Sequence, residues 1–190
     1  MISVTGKMFN YEKAGKLLEP SRKELIPTEK VIELLAIDKS HVCADLGCGN
    51  GYLTLPIAEK VNTDVKAVDI QPEMLELLSE RAEEHKVFNI QYIEASLEEI
   101  PLGEDSLDRA VAAFVLHEIP NLAKTMSDVK SFLKEGGKWL ILDWEAVESP
   151  QGPPLHHRIS SEKLEEMVKQ QGFKTQSGHL HPSVYYIIAE

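Results

Sequence analysis

Between positions 42 and 53 the chain reads Val-Cys-Ala-Asp-Leu-Gly-Cys-Gly-Asn-Gly-Tyr-Leu. A short apolar run ends in an acid, Asp45, and glycines follow at 47, 49 and 51 before a helical pattern opens. Without Cβ atoms, such a turn can take positive φ and let a ligand lie directly against the peptide groups. Strand, tight glycine turn and helix in succession commit the chain to an α/β sheet. Open sheets of that class bind ligands at the carboxyl ends of their strands, so the turn is also the first place to look for a site.

The sequence beyond supplies the alternating strands and helices that this start demands. The first strand is expected at 42–46 and its helix at 52–60, with Leu53, Ile57, Ala58 and Val61 inward and Pro56 tolerated in the first turns. A second strand, 64–70, ends in another acid, Asp69, and Pro72 starts a helix with Met74, Leu75, Leu77 and Leu78 apolar. A third strand is expected at 89–94 and a fourth, continuously apolar, at 109–115. Asn121 can cap the next helix, which buries Leu122, Met126, Val129, Phe132 and Leu133 and ends at Gly136 and Gly137. Strand five spans 138–144, and an irregular, proline-rich stretch, 145–158, follows; loops of that length are often functional. A helix from Ser160 or Ser161 closes at Gly172, and 173–181 and 183–189 read as two terminal strands. Ahead of the first strand, Pro27 and Thr28 open a clear helix. Residues 1–27 are a loosely helical segment carrying Phe9, Tyr11, Leu17, Leu18, Arg22 and Leu25, which either covers the site as a lid or packs on the sheet.

Composition narrows what such a domain can do. The 190 residues, 43% of them hydrophobic, fit one domain with a sizeable core. Acids outnumber bases by 31 to 20, a net charge of −11, and no basic cluster is present, which argues against a polynucleotide substrate. No run of about 18 apolar residues exists, and the polar start does not read as a signal peptide. Cys43 and Cys48 fit neither a redox pair nor a zinc knuckle, so a buried strand cysteine and a turn-filling one in a reducing cytoplasm are expected, with no metal.

Spacing then separates two kinds of glycine turn. A dinucleotide fingerprint wants a third glycine where the helix packs on the strand, and that place holds Tyr52. The order acid-x-Gly-x-Gly-x-Gly instead resembles the first motif of class I S-adenosylmethionine-dependent methyltransferases. Asp69, about 24 residues after Asp45, suits the hydroxyls of a ribose. The Pro-Leu-x-x-x-Ser-x-Asp pattern at 101–108 and Leu-Lys-x-Gly-Gly at 133–137 also resemble the type 11 and ubiquinone-biosynthesis-like members. The resemblance covers residues 28 to 190 and implies a Rossmann-like three-layer sandwich, with a seven-stranded, mostly parallel sheet and an antiparallel C-terminal strand. It implies S-adenosylmethionine as cofactor and S-adenosylhomocysteine as product. Asp45 with Gly47, Cys48, Gly49 and Gly51 would face the cofactor's methionine end, Asp69 the ribose and Ile70 the adenine face. Members of the family often carry an acid five positions before the proline, where it receives the adenine amino group. Ser96 stands there, which leaves its hydroxyl, Glu94 or the Leu97 backbone as the partner.

Methyl transfer is an in-line displacement, and placing the nucleophile on axis supplies much of the catalysis. A general base is needed only where the nucleophile carries a proton it would not otherwise lose. His117, after strand four, is the first candidate, with Glu118 either orienting it or capping a helix; a hydrogen-bonded turn histidine is the competing reading. Asp143, Trp144 and Glu145 either shape an acceptor pocket or, for Trp144, pack in the core. Tyr11 and Phe9 would close over the reacting centre. His156, His157 and Arg158 reach the site if the long loop folds over it. The segment His117-Glu118-Ile119-Pro120 lacks the Asn/Asp-Pro-Pro-aromatic pattern of nucleobase amino-methylating relatives, so the expected acceptor is a small molecule. A nicotinamide-dependent oxidoreductase and a non-catalytic S-adenosylmethionine-binding sensor are the rival functions.

Overall fold

The computed structural model describes residues 11–190. Its strands are β1 (Cys43–Leu46), β2 (Val65–Asp69), β3 (Ile90–Glu94), β4 (Leu107–Ala113), β5 (Leu133–Trp144), β6 (Thr175–His181) and β7 (Val184–Ala189). They form one sheet in the order β3-β2-β1-β4-β5-β7-β6. All pairs from β3 to β5 are parallel, and β7 runs antiparallel to both β5 and β6. The mostly parallel, seven-stranded sheet with a reversed C-terminal strand is therefore as expected. Chain order reverses between β1 and β4, the switch point where the carboxyl ends of such a sheet open a crevice.

Among the described residues, six α-helices flank the sheet: α1 (Pro20–Leu25), α2 (Thr28–Leu35), α3 (Thr54–Ala58), α4 (Pro72–His85), α5 (Leu122–Phe132) and α6 (Ser161–Gln170). Side chains alternate across each strand, so the central strands feed two separate cores. Ala44, Ala110, Ala112, Trp139 and Ile141 join α5 and α6 on one face. Cys43, Val111, Leu140 and Leu142 join α2, α3 and α4 on the other. A sheet covered on both faces needs apolar residues at successive positions, which is why β1 and the middle of β4 are buried without interruption. Each large side chain taken from water contributes roughly 1.5–3 kcal/mol. Among the described residues, no helix is long and apolar enough to cross a membrane.

Several boundaries differ from expectation, and at two places the local reason is plain. Strand β4 starts two residues earlier and stops at Ala113, because Phe114 takes a φ of 57° and turns the chain while its amide still reaches Leu142 O at 2.8 Å. The helix expected to run to Gly136 ends at Phe132, and β5 begins at once with Leu133 against Leu107. The extra residues before Lys138 pairs with Arg109 form a bulge. Gly137 is needed there, since a Cβ would stand 2.8 Å from Lys134 O and 3.2 Å from Leu107 O.

Candidate functional site

The turn after β1 is held by its own backbone. Gly47, Gly49 and Gly51 all have positive φ (75°, 52° and 84°). At Gly51 a Cβ would also fall 2.1 Å from Leu78 Cδ1, so α4 packs where a side chain would otherwise be. The amides of Gly47 and Cys48 both donate to Val68 O at 2.8 and 2.9 Å, Gly49 N donates to Asp69 Oδ2 at 2.8 Å, and Gly51 N donates to Cys48 O at 3.0 Å. Those N–H groups are therefore spent inside the protein. A pyrophosphate would need them free, and would sit beside two buried carboxylates as well.

Asp69 ends β2 with one oxygen on Gly49 N and the other on Gln71 N, at 2.8 and 2.9 Å. Each carboxylate oxygen keeps a further lone pair, so the group can still accept from two hydroxyls. Burial raises its pKa, and the amides of Gln71, Gly49 and Ile70 offset only part of that rise. Asp45, 2% exposed, accepts from Thr54 Oγ1 at 2.6 Å. Burial pushes it up to about 7; the Thr54 hydrogen bond opposes the shift, Asp69 adds to it, and Arg22 opposes it. Ile70 stands 50% exposed beside Asp69, an apolar face open at the rim. This donor set fits S-adenosylmethionine: carboxylates for a ribose and an ammonium, bare backbone, and no phosphate cradle.

Past β3, Ser96 lies half-buried, its Oγ accepting from Glu98 N at 3.3 Å. Leu97 points into the core at 5% exposure, and its carbonyl takes the Thr125 hydroxyl at 3.2 Å. Its amide is left to face a base. Cys48, buried with its thiol held well above the ordinary range by burial, is a turn-filling residue as expected.

The second cluster lies at the ends of β4 and β5. His117, 5% exposed, places Nδ1 2.8 Å from Asp143 Oδ1, and its amide donates to Asp143 Oδ2 at 3.3 Å. Trp144 N also donates to Asp143 Oδ1, at 2.8 Å. Burial pulls the His117 pKa down, but the charge and hydrogen bond of Asp143, with Glu118 behind them, outweigh it and leave the net shift upward. With Asp143 on Nδ1, the Nε2 lone pair faces away as a proton acceptor, and Glu118 Oε1 lies 3.8 Å from it. Asp143, and not Glu118, is thus what orients the ring. Asp143 is singled out in the sequence only as a pocket residue; the signal for its pairing is the β4–β5 register, in which Ala113 faces Leu142.

Trp144 is 7% exposed and stacks on Phe114, ring centres 4.7 Å apart. The 145–158 loop is gathered around Arg158, whose guanidinium donates to Pro153 O, Val147 O, Gln151 O and Ser149 Oγ at 2.8–2.9 Å and lies 5.4 Å from the Trp144 ring. His156 and His157 pack on each other, and His179 pairs with Glu145 at 3.0 Å. Among the described residues, no three His, Cys, Asp or Glu side chains are grouped to hold a metal. Tyr11 is 41% exposed on a 3-10 helix, Tyr11–Leu18; Phe9 lies outside the described residues.

Arg22 on α1 is the residue that sequence reasoning missed. Its guanidinium carbon lies 5.3 Å from the Tyr52 ring and 5.0 Å from the Phe114 ring. Its segment is fastened to the glycine turn, with Asn50 Nδ2 donating to Ala14 O at 2.9 Å and the Tyr52 hydroxyl to Ile26 O at 2.8 Å.

Comparison with known proteins bears on the fold and the cofactor. Residues 43–137 match the family described as methyltransferase domain. The uncharacterized methyltransferase YcgJ of Bacillus subtilis is 30% identical over 110 residues, 58% of this chain and 43% of that protein. The ubiquinone/menaquinone biosynthesis C-methyltransferase UbiE of Rhizobium etli is 33% identical over 109 residues, 56% of this chain and 42% of that protein. The chain thus spans less than half the length of these two relatives. The crystal structure of a SAM-dependent methyltransferase from Aquifex aeolicus superposes with a TM-score of 0.89 at 25% identity, covering 95% of this chain and 98% of that one. The match extends over half the chain and brackets the glycine turn, so the chain belongs to the methyltransferase domain family, with S-adenosylmethionine as its cofactor.

Proposed function

We propose that this protein methylates a small-molecule acceptor whose attacking atom carries a proton, with His117 as the base. The buried His117–Asp143 pair, 2.8 Å apart at the carboxyl edge of the sheet next to the glycine turn, carries the proposal. S-adenosylmethionine supplies the activated methyl group when bound. Asp69 would hold the cofactor's ribose, Asp45 and the turn of 47–51 would face its methionine end with the ammonium toward Asp45, and Ile70, Ser96 and the Leu97 amide would border its adenine. At the other end, Asp143 fixes the tautomer of His117 so that Nε2 would take the proton that the acceptor loses on methylation. Glu118, close to Nε2, favours the imidazolium that results.

A small acceptor is supported by the −11 net charge and by the apolar residues of the loop, Val147 and Leu155, which are 43% and 46% exposed. The relative named for ubiquinone and menaquinone biosynthesis points to ring compounds as the first to try. Residues 11–27 act as a cap, with the segment from Ala14 to Ile26 fastened over the turn, and Trp144 forms a wall behind the reacting centre. Two free, buried cysteines fit a cytoplasmic setting.

The test is incubation with methyl-labelled S-adenosylmethionine and a small-molecule extract enriched in phenols and quinols. Label should enter an acceptor, and His117→Ala should cut the rate at least about tenfold without changing cofactor affinity. A protein that binds the cofactor and labels nothing is a sensor; one whose His117→Ala variant turns over normally uses no base there.

A further inference from the structure

We propose that Arg22 is the residue that binds the carboxylate of the cofactor's amino-acid end, making the N-terminal segment part of the binding site and not merely a cover. The inference rests on the S-adenosylmethionine reading of the glycine turn.

Arg22 Nε is buried and has no hydrogen-bond partner. A buried, unsatisfied donor on a cation is costly, and where one persists beside a ligand crevice an anion that completes it is the natural account. The ring faces of Tyr52 and Phe114, 5.3 and 5.0 Å away, hold the guanidinium in place without using its N–H groups. They attract the cation and leave its donor edge for an oxyanion. The same arrangement explains Tyr52, which stands where a dinucleotide turn has its third glycine. Its ring is a platform for Arg22, and its hydroxyl ties down Ile26, the residue that follows α1.

Charge completes the case. Asp45 and Arg22 lie near enough to affect each other's ionisation. A buried acid and a half-buried base flanking one glycine turn form a complement to a zwitterion, the ammonium toward Asp45 and the carboxylate toward Arg22. Guanidinium to carboxylate is the pairing whose planar fork adds geometry to charge. A cofactor fragment without the amino-acid end would have no use for either group.

The experiment is calorimetric titration of the full chain, and of Arg22→Gln and Arg22→Lys, with S-adenosylhomocysteine and with 5′-methylthioadenosine, which keeps the nucleoside but lacks the carboxylate. Arg22→Gln should weaken S-adenosylhomocysteine at least about 20-fold and methylthioadenosine by no more than about twofold. Arg22→Lys, which keeps the charge, should retain more affinity than Arg22→Gln. Equal weakening of both ligands would overturn the inference, since Arg22 would then only build the cover; undiminished S-adenosylhomocysteine binding would overturn it as well. If the wild-type chain binds neither ligand, the cofactor reading falls and takes this inference with it.

Discussion

Around β1 and β2 the site is made of backbone. Glycines at positive φ let the chain fold on itself, amides are consumed by Val68 and Asp69, and Asp69 clasps the turn at Gly49 N with one oxygen while the other accepts from Gln71 N. Around β4 and β5 the site is made of side chains: the His117 ring held by Asp143, the Phe114–Trp144 stack, and a loop drawn around the Arg158 guanidinium. A backbone site tolerates little change, because each substitution meets a main-chain constraint. A side-chain site can be rebuilt for another acceptor while the sheet beneath it stays the same. The first kind suits a constant cofactor, the second a variable substrate.

The largest effect that would break the backbone half comes from Gly51→Ala. The new Cβ meets Leu78 at 2.1 Å and the residue must keep a φ of 84°, so the variant should lose about 2–4 kcal/mol in denaturant unfolding, a combination of overpacking and backbone strain. A loss under about 0.5 kcal/mol would mean that the turn is far more pliable than described.

Next comes the side-chain half. Only neutral His117 accepts a proton, so turnover should rise with pH through a pKa above the ordinary 6.5. Asp143→Asn removes the charge that raises it. The acidic limb of the pH–rate profile should move to lower pH, and the plateau should fall at least about tenfold because the tautomer is no longer fixed. A limb that stays where it was would dissociate Asp143 from the base.

Asp45→Asn sharpens the contrast between stability and function within the backbone half. Folded Asp45 titrates at about 7 and unfolded aspartate near 3.8, so between those values the folded state holds the extra proton and stability declines as pH rises. Asparagine removes that decline while still accepting from Thr54. The ligand-free variant should therefore melt about 2–4 °C above the parent at pH 8 and close to it at pH 4, while binding S-adenosylhomocysteine less tightly. A gap that does not widen with pH would show that Asp45 is ordinary.

The smallest effect is Arg158→Ala. Amide hydrogen exchange over 147–157 should quicken about tenfold with little change in melting temperature or cofactor affinity, because the guanidinium organises a surface loop and not the core. Unchanged exchange would mean that the loop holds itself.

What the sequence revealed follows the same division. The sheet, the glycine turn and Asp69 were legible because backbone requirements leave local traces: alternate glycines, an acid ending an apolar run, prolines opening helices. The pairing of His117 with Asp143 left none, since it joins residues 26 apart through the β4–β5 register. Arg22 reads as one more base on an amphipathic helix until α1 is seen against Tyr52 and Phe114. The end of β4 was placed two residues late because an apolar run gives no sign that Phe114 adopts a positive φ.

The most direct test of the division is a side-by-side measurement of S-adenosylhomocysteine affinity for Asp69→Ala and His117→Ala by calorimetry. The account predicts a loss of roughly 30-fold or more for Asp69→Ala, which removes the proposed acceptor of ribose hydroxyls and the clasp on Gly49, and a change of no more than about twofold for His117→Ala. Equal losses in the two variants, or none in Asp69→Ala, would contradict it.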